Sequence, residues 1–245
     1  MKRFRVALQF LTVWPVSIPS EITPEDFGGS LRYFPLVGLF LGLALAGATL
    51  LLGFLPPPVV AVLILILSIA LTGGLHLDGF ADTCDGFGGL RPKEKVLEIM
   101  RDSRVGVMGV TGVFCLLALK GVLLASVPPS LLWRLLILMT VFSRWSQVLV
   151  CCTSRYARAE GKARFFVEYA GRKDLLAASI LAAAAILFLA RWRVLLVLFL
   201  SLPALLLFLV YVKRRIGGVT GDIIGAANEI TEVAILFFGL IYLDS

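Results

Sequence analysis

The chain alternates long apolar runs with short charged breaks. Seven runs stand out, at residues 34–54, 59–75, 105–125, 131–150, 175–190, 194–212 and 223–243. Most are close to the roughly 20 residues that a helix needs to cross a hydrocarbon core. Helices are the expected form, because lipid offers backbone N–H and C=O groups no partner outside the segment. The fifth run is short, and Arg191 and Arg193 at its end can snorkel to the headgroups. The pattern predicts an all-α fold: a polytopic transmembrane helical bundle of about seven spans.

The breaks are of two kinds. Pro56-Pro57-Pro58, Pro128-Pro129-Ser130 and Arg191-Trp192-Arg193 form tight turns. The others are longer and hold the charge. They are 76–104, then 152–174 with Arg155, Arg158, Lys162, Arg164, Arg172 and Lys173, then Lys213-Arg214-Arg215. With a cytosolic N-terminus, all three basic breaks fall inside and the tight turns outside, as the positive-inside rule requires. The same count puts the C-terminus outside. Residues 1–245 are expected to form one integral membrane domain. Within it, 1–30 is an N-terminal interfacial or re-entrant segment and 76–104 a cytosolic active-site loop. Met1-Lys2-Arg3-Phe4-Arg5 and the apolar run after it resemble a signal peptide. The small-residue cleavage pattern is missing and acidic Glu21, Glu25 and Asp26 follow, so the segment is expected to stay on the protein.

Composition agrees with the pattern. Of the 245 residues, 59% are hydrophobic and 16% charged, with a mean hydropathy of +0.96. Soluble domains run at about 45–50% apolar and about 25% charged. A formal net charge of +7 reads here as topology. No Lys/Arg-rich tract with interleaved aromatics is present, which excludes a nucleic-acid partner. Cys84, Cys115, Cys151 and Cys152 fit neither a zinc site nor a redox pair.

Candidate chemistry gathers in carboxylate clusters. The second run ends in His76-Leu77-Asp78-Gly79-Phe80-Ala81-Asp82-Thr83-Cys84-Asp85-Gly86. Asp78, Asp82 and Asp85 stand at i, i+4 and i+7, so a continuing helix points all three from one face. Stacked like charges destabilise a helix unless a cation neutralises them. Hard oxygen donors at a membrane edge suit Mg²⁺ or Mn²⁺, completed by water and substrate phosphates. The bland reading is a solvated acidic loop, but its apolar flanks hold this segment at the bilayer, where charge is expensive.

A second cluster opens the last run: Gly217-Gly218-Val219-Thr220-Gly221-Asp222, then Glu229 and Glu232. Asp222, Ala226 and Glu229 share a helical face. Helix capping accounts for Asp222 but not for Glu229 or Glu232, which lie inside the apolar run and by default face a polar cavity. Between the clusters, Arg101 and Arg104 have the chemistry to hold phosphate oxygens, with the snorkelling of arginines at a helix end as the plainer reading. Asp102 is a further ligand, a base or an N-cap. Arg144 and Gln147 form an intramembrane polar pair, with Arg144 a plausible carboxylate partner. His76, the one histidine, is either a base beside the aspartates or a structural hydrogen-bonding group.

With these residues in view, the chain resembles the cobalamin synthase family, the adenosylcobinamide-GDP ribazoletransferases. The resemblance rests on Phe10-Leu11-Thr12, Tyr33-Phe34-Pro35-Leu36-Val37-Gly38, the His76–Gly86 motif, Glu98-Ile99-Met100-Arg101-Asp102-Ser103-Arg104-Val105-Gly106, and Gly217 through Ala226. The motifs run from end to end in family order. Phe80 and Phe87 stand where the family more often has leucine. The resemblance implies transfer of the phospho-cobinamide group of adenosylcobinamide-GDP to the ribose 3′-hydroxyl of α-ribazole or its 5′-phosphate. GMP leaves, adenosylcobalamin or its 5′-phosphate forms, and Mg²⁺ is required.

On this reading Asp78, Asp82 and Asp85 hold metal, and Arg101, Arg104, Asp102 and His76 contact substrate or its phosphates. Asp82, Asp222 and Glu229 are the catalytic candidates. The implied setting is the cell inner membrane, multi-pass, with the active site on the cytosolic face. The lipid bilayer is a standing partner, and a homo-oligomer or a complex with other cobalamin-assembly enzymes is compatible. Two alternatives stay open. One is a CDP-alcohol-type phosphotransferase, although the second half of that motif is absent after Arg91. The other is an ion-coupled transporter using Glu229, Glu232 and Arg144.

Overall fold

The computed structural model describes residues 1–18, 21–161, 163–188 and 192–242. Among these the chain forms twelve helices: α1 (Lys2–Leu11), α2 (Pro24–Ser30), α3 (Phe34–Leu51), α4 (Pro57–Thr72), α5 (Leu75–Phe87), α6 (Lys93–Ile99), α7 (Val107–Ser126), α8 (Pro129–Thr153), α9 (Arg164–Glu168), α10 (Arg172–Phe188), α11 (Trp192–Ile216) and α12 (Gly221–Tyr242). No strand forms among them; one isolated bridge pairs Tyr156 with Val219.

Each expected apolar run carries a helix. Five spans qualify by length and composition, and a sixth if α4 and α5 count as one bent pair. The remaining expected span, the fifth run, is carried by α10, which has 17 residues. Its expected continuation through Ala190, and Arg191 of the turn, lie outside the described residues, as do Lys162 and the end of the last run at Leu243. The number and character of the apolar helices make this a multi-pass membrane protein.

Proline sets several helix starts. Pro24, Pro35, Pro57 and Pro129 stand in first turns, where the missing N–H leaves no bond unmade. The central helix is α8, buried over nearly its whole length, whereas α7 and α11 turn large apolar side chains such as Val110, Phe114, Phe199 and Leu207 outward. Lipid is the natural solvent for such faces. Helix α3 lies against α8 at Gly38 and Gly42. A Cβ on Gly38 would collide with the Thr140 carbonyl oxygen, so close packing there depends on the missing side chain.

The polar ends meet at one end of the bundle. Arg215 donates to the Gly89 carbonyl at 2.9 Å and Lys213 to the Thr153 carbonyl at 3.1 Å. Arg158 pairs with Asp222 at 3.0 Å. The three basic breaks therefore lie side by side. The N-terminal segment joins them: the Lys2 ammonium stands 2.5 Å from Asp26, and Arg32 pairs with Asp174 at 2.6 Å.

The stretch 76–104, expected as a loop, is mostly helical, carrying α5 and α6. Gly73 and Gly74 adopt φ of 63° and 69°, a left-handed conformation that glycine takes without strain. They turn the chain by 94° between α4 and α5. Helix α5 thus lies across the direction of α4, over the first turns of α7 and α12.

Candidate active site

Two glycines bring the two acidic motifs together. A Cβ on Gly79 would stand 2.9 Å from the Asp222 Cα, and one on Gly225 3.2 Å from the His76 carbonyl oxygen. Helices α5 and α12 therefore cross in backbone contact, with Asp78 beside the crossing on α5 and Asp222 at it on α12. Both acids line one cavity of about 280 Å³, which His76, Tyr156 and Arg158 also line. The half-buried Asp82 carboxyl lies in the field of Asp222, Asp78 and Asp85, with Arg158 as the opposing cation. One guanidinium opposes the three carboxyl groups Asp78, Asp82 and Asp222, so acid outnumbers base at this edge.

Asp85 faces away from this cavity. Its carboxylate accepts from the N–H groups of Gly106 at 2.7 Å and Gly109 at 2.8 Å. It caps the N-terminus of α7 from a neighbouring helix, with the favourable sign for the helix dipole. Sequence spacing put Asp85 beside Asp82, but could not show that α7 would arrive with free N–H groups.

The three residues of the Arg101–Arg104 motif divide. Asp102 and Arg104 form a local pair with Arg104 Nη2 2.7 Å from Asp102 Oδ2. The Arg104 hydrogen bond holds the Asp102 carboxyl down to about 2. Both line a shallow surface pocket with Asp85, outside the Asp78–Asp222 cavity. Arg101 is exposed and shares a different surface depression with Arg158, on the rim of the cavity.

Glu229 lies below the site. It and Glu232 form a buried network with Lys120 and Arg144. Lys120 bridges both acids, at 2.7 Å to Glu232, and Arg144 pairs with the other Glu232 oxygen. Asn228 and Ser143 donate to Glu232 at 3.0 Å and 3.3 Å. All four ionic side chains are at most 6% exposed. Glu229 does not line the cavity that holds Asp78 and Asp222, so the geometry gives it a supporting position instead of one at the reacting atoms. Arg144 does pair with a carboxylate, as its place in an apolar run suggested.

Three contributors escape the sequence reading. Lys120 is a lone charge inside an apolar run, and that isolation alone marks it as a functional or paired residue. Arg158 counted only toward topology. Tyr156 carried no motif; burial pushes its hydroxyl above the ordinary phenol range, so it stays a proton donor.

Among the described residues, no three His, Cys, Asp or Glu side chains converge to hold a metal ion unaided. The donors at the α5–α12 crossing are nevertheless all carboxylate oxygens. Mg²⁺ characteristically takes one or two carboxylates and completes its shell with water and substrate phosphates. Asp78 and Asp222, which line one cavity, fit that arrangement, with Asp82 in their field. Asp85, engaged by α7, is the weakest fit of the expected ligands.

Comparison with known proteins covers nearly the whole chain. Residues 3–240 match the family model described as cobalamin-5-phosphate synthase. A relative from Clostridium acetobutylicum is 38% identical, over 97% of this chain and 98% of its own. Relatives from Syntrophobacter fumaroxidans and Ectopseudomonas mendocina are 40% identical, each over 95% of this chain and 96% of its own. All three carry the name adenosylcobinamide-GDP ribazoletransferase. No solved structure matches the chain.

Proposed function

Because the chain belongs to the cobalamin-5-phosphate synthase family, we propose that it joins the phospho-cobinamide group of adenosylcobinamide-GDP to α-ribazole or its 5′-phosphate at the α5–α12 crossing. The observation that carries this placement is the backbone contact of Gly79 with Asp222, which sets acids from two distant motifs in one cavity with Arg158. Phosphoryl transfer asks the protein for alignment and charge neutralisation more than for covalent chemistry.

The chain's groups take the following parts. Asp78, Asp82 and Asp222 would hold Mg²⁺, or Mn²⁺ in its place, and the ion would supply neutralisation of the diphosphate and of the departing GMP. Arg158, with Arg101 on the rim, holds phosphate oxygens through charge-assisted hydrogen bonds. The ribose 3′-hydroxyl forms a bond to the phosphorus on the cobinamide side, the bond from that phosphorus to GMP breaks, and the hydroxyl proton passes to a carboxylate of the crossing. Beneath the crossing, the His76 backbone packs against Gly225, and the buried Glu229–Lys120 pair ties α12 to α7.

The site opens on the cytosolic face of the cell inner membrane. The clustered basic breaks support that orientation by the positive-inside rule. A reporter fused after Lys213 reads cytosolic and one at Pro128 reads external; the reverse overturns the orientation. The reaction itself is tested by GMP release from adenosylcobinamide-GDP on purified protein in nanodiscs. Release that requires both α-ribazole and Mg²⁺ is expected. No release under those conditions contradicts the assignment.

A further inference from the structure

The cavity at the crossing has two chemically different halves. Its acidic rim has been described. The other half is a wall of phenylalanines: Phe10, Phe34 and Phe166 all line it. Phe166 is the hub, its ring centre 4.4 Å from that of Phe10 and 5.7 Å from that of Phe34. The three come from α1, α3 and α9, segments far apart in sequence. Such a wall suits a flat ring.

Two polar atoms interrupt the apolar surface, and both lack partners. Gln147 is 1% exposed and its Oε1 is buried without a hydrogen bond; His76 is 3% exposed and its Nε2 is likewise unpartnered. Both residues line this same cavity. Buried polar atoms left unpaired are destabilising, so their recurrence at one cavity points to a ligand that completes them.

We infer that this aromatic half is the subsite for the acceptor nucleoside, taking its planar base against Phe10, the one partly exposed ring of the three, and presenting its ribose to Asp78 and Asp222. The inference rests on the proposed transfer reaction and assigns one of its two substrates a place. Size and polarity separate the substrates. A cavity of about 280 Å³ lies at the lower end of small-molecule sites; it admits a nucleoside but not a corrin. Guanine, the base of the leaving nucleotide, is polar around most of its edge, and against three phenylalanines those groups would go unpaired. A methylated benzimidazole has an apolar edge and a single free ring nitrogen. Its ribose hydroxyls supply the donors that Gln147 lacks.

The test uses the full chain in nanodiscs and two variants that stay apolar or near the original bulk, Phe10→Leu and Gln147→Leu. Each raises the KM for α-ribazole about tenfold, the equivalent of one lost hydrogen bond or ring contact. Neither changes the KM for adenosylcobinamide-GDP by more than about twofold, well under 1 kcal/mol. Titration of α-ribazole alone, followed by benzimidazole fluorescence, shows binding to the wild type and weaker binding to both variants. A raised KM for the donor, a KM for α-ribazole left unchanged, or GMP binding weakened by Phe10→Leu overturns the subsite. So does a lipid acyl chain that co-purifies with the wild type and blocks the titration. Absence of GMP release from the wild type overturns the reaction instead, and the titration then decides the subsite by itself.

Discussion

Two groups of carboxylates sit in this molecule, a helical turn or two apart, and they are treated in opposite ways. At the α5–α12 crossing, Asp78 and Asp222 line one cavity with Asp82 in their field, and the cation opposing them is Arg158. Deeper in the bundle, Glu229 and Glu232 are matched by Lys120 and Arg144, acid for base. Inside a membrane an unmatched charge is not tolerated, so the protein supplies the partners itself. At the edge it does not, and the outstanding charge is left for a ligand to neutralise. Carboxylates spaced along one helical face thus become a structural clamp in one place and a binding surface in the other. What separates them is the source of the counter-charge.

That contrast breaks apart under mutation. The largest effect falls at the edge: Asp82→Ala lowers GMP release by about 10³-fold, the several kcal/mol attributed to metal charge stabilisation, with membrane insertion unchanged. Activity near that of the wild type at saturating Mg²⁺ contradicts the ligand role. In the clamp, the loss is of folding. Lys120→Met leaves Glu229 buried without its cation and destabilises the bundle by about 3–5 kcal/mol, seen as a fall in thermal unfolding temperature. Pairing it with Glu229→Gln restores much of the stability, because both charges go together. If the double variant is as unstable as the single, the two residues do not act as a pair.

Smaller substitutions sharpen the boundary. Gly79→Ala places a methyl group against the Asp222 backbone and pushes α5 off α12, lowering turnover by about 10²-fold through misplacement alone. Unchanged turnover shows that the close crossing is dispensable. The smallest effect belongs to Asp85→Ala, which removes the cap of α7 and costs about 1 kcal/mol of stability. Its turnover falls far less than that of Asp82→Ala. Equal losses for the two return Asp85 to the metal.

Much of this was legible in the chain beforehand. Apolar runs of spanning length become helices because lipid leaves no other choice, and each of the seven found its helix. The acidic motifs stood out because charge beside an apolar run demands a reason. Spacing along one helix says nothing about which other helix arrives, however. Asp85 shares a face with Asp82 in sequence, and its fate was decided by Gly106 and Gly109 of α7. Glu229 shares a face with Asp222, and its fate was decided by Lys120. The bend at Gly73-Gly74 was equally hidden: two adjacent glycines permit a turn without specifying that α5 would lie across α4. The aromatic half of the cavity was least legible, since Phe10, Phe34 and Phe166 become neighbours only once the whole bundle has closed.

Binding of Mn²⁺, followed by electron paramagnetic resonance with GDP present as a diphosphate probe, bears on this division most directly. The wild type and the Lys120→Met/Glu229→Gln double variant should bind Mn²⁺ alike. Asp82→Asn and Asp222→Asn should each weaken it by about tenfold or more, the loss of a charged oxygen donor. Equal affinity in Asp82→Asn, or loss of binding in the double variant alone, would mean that the cation sits in the clamp and not at the edge.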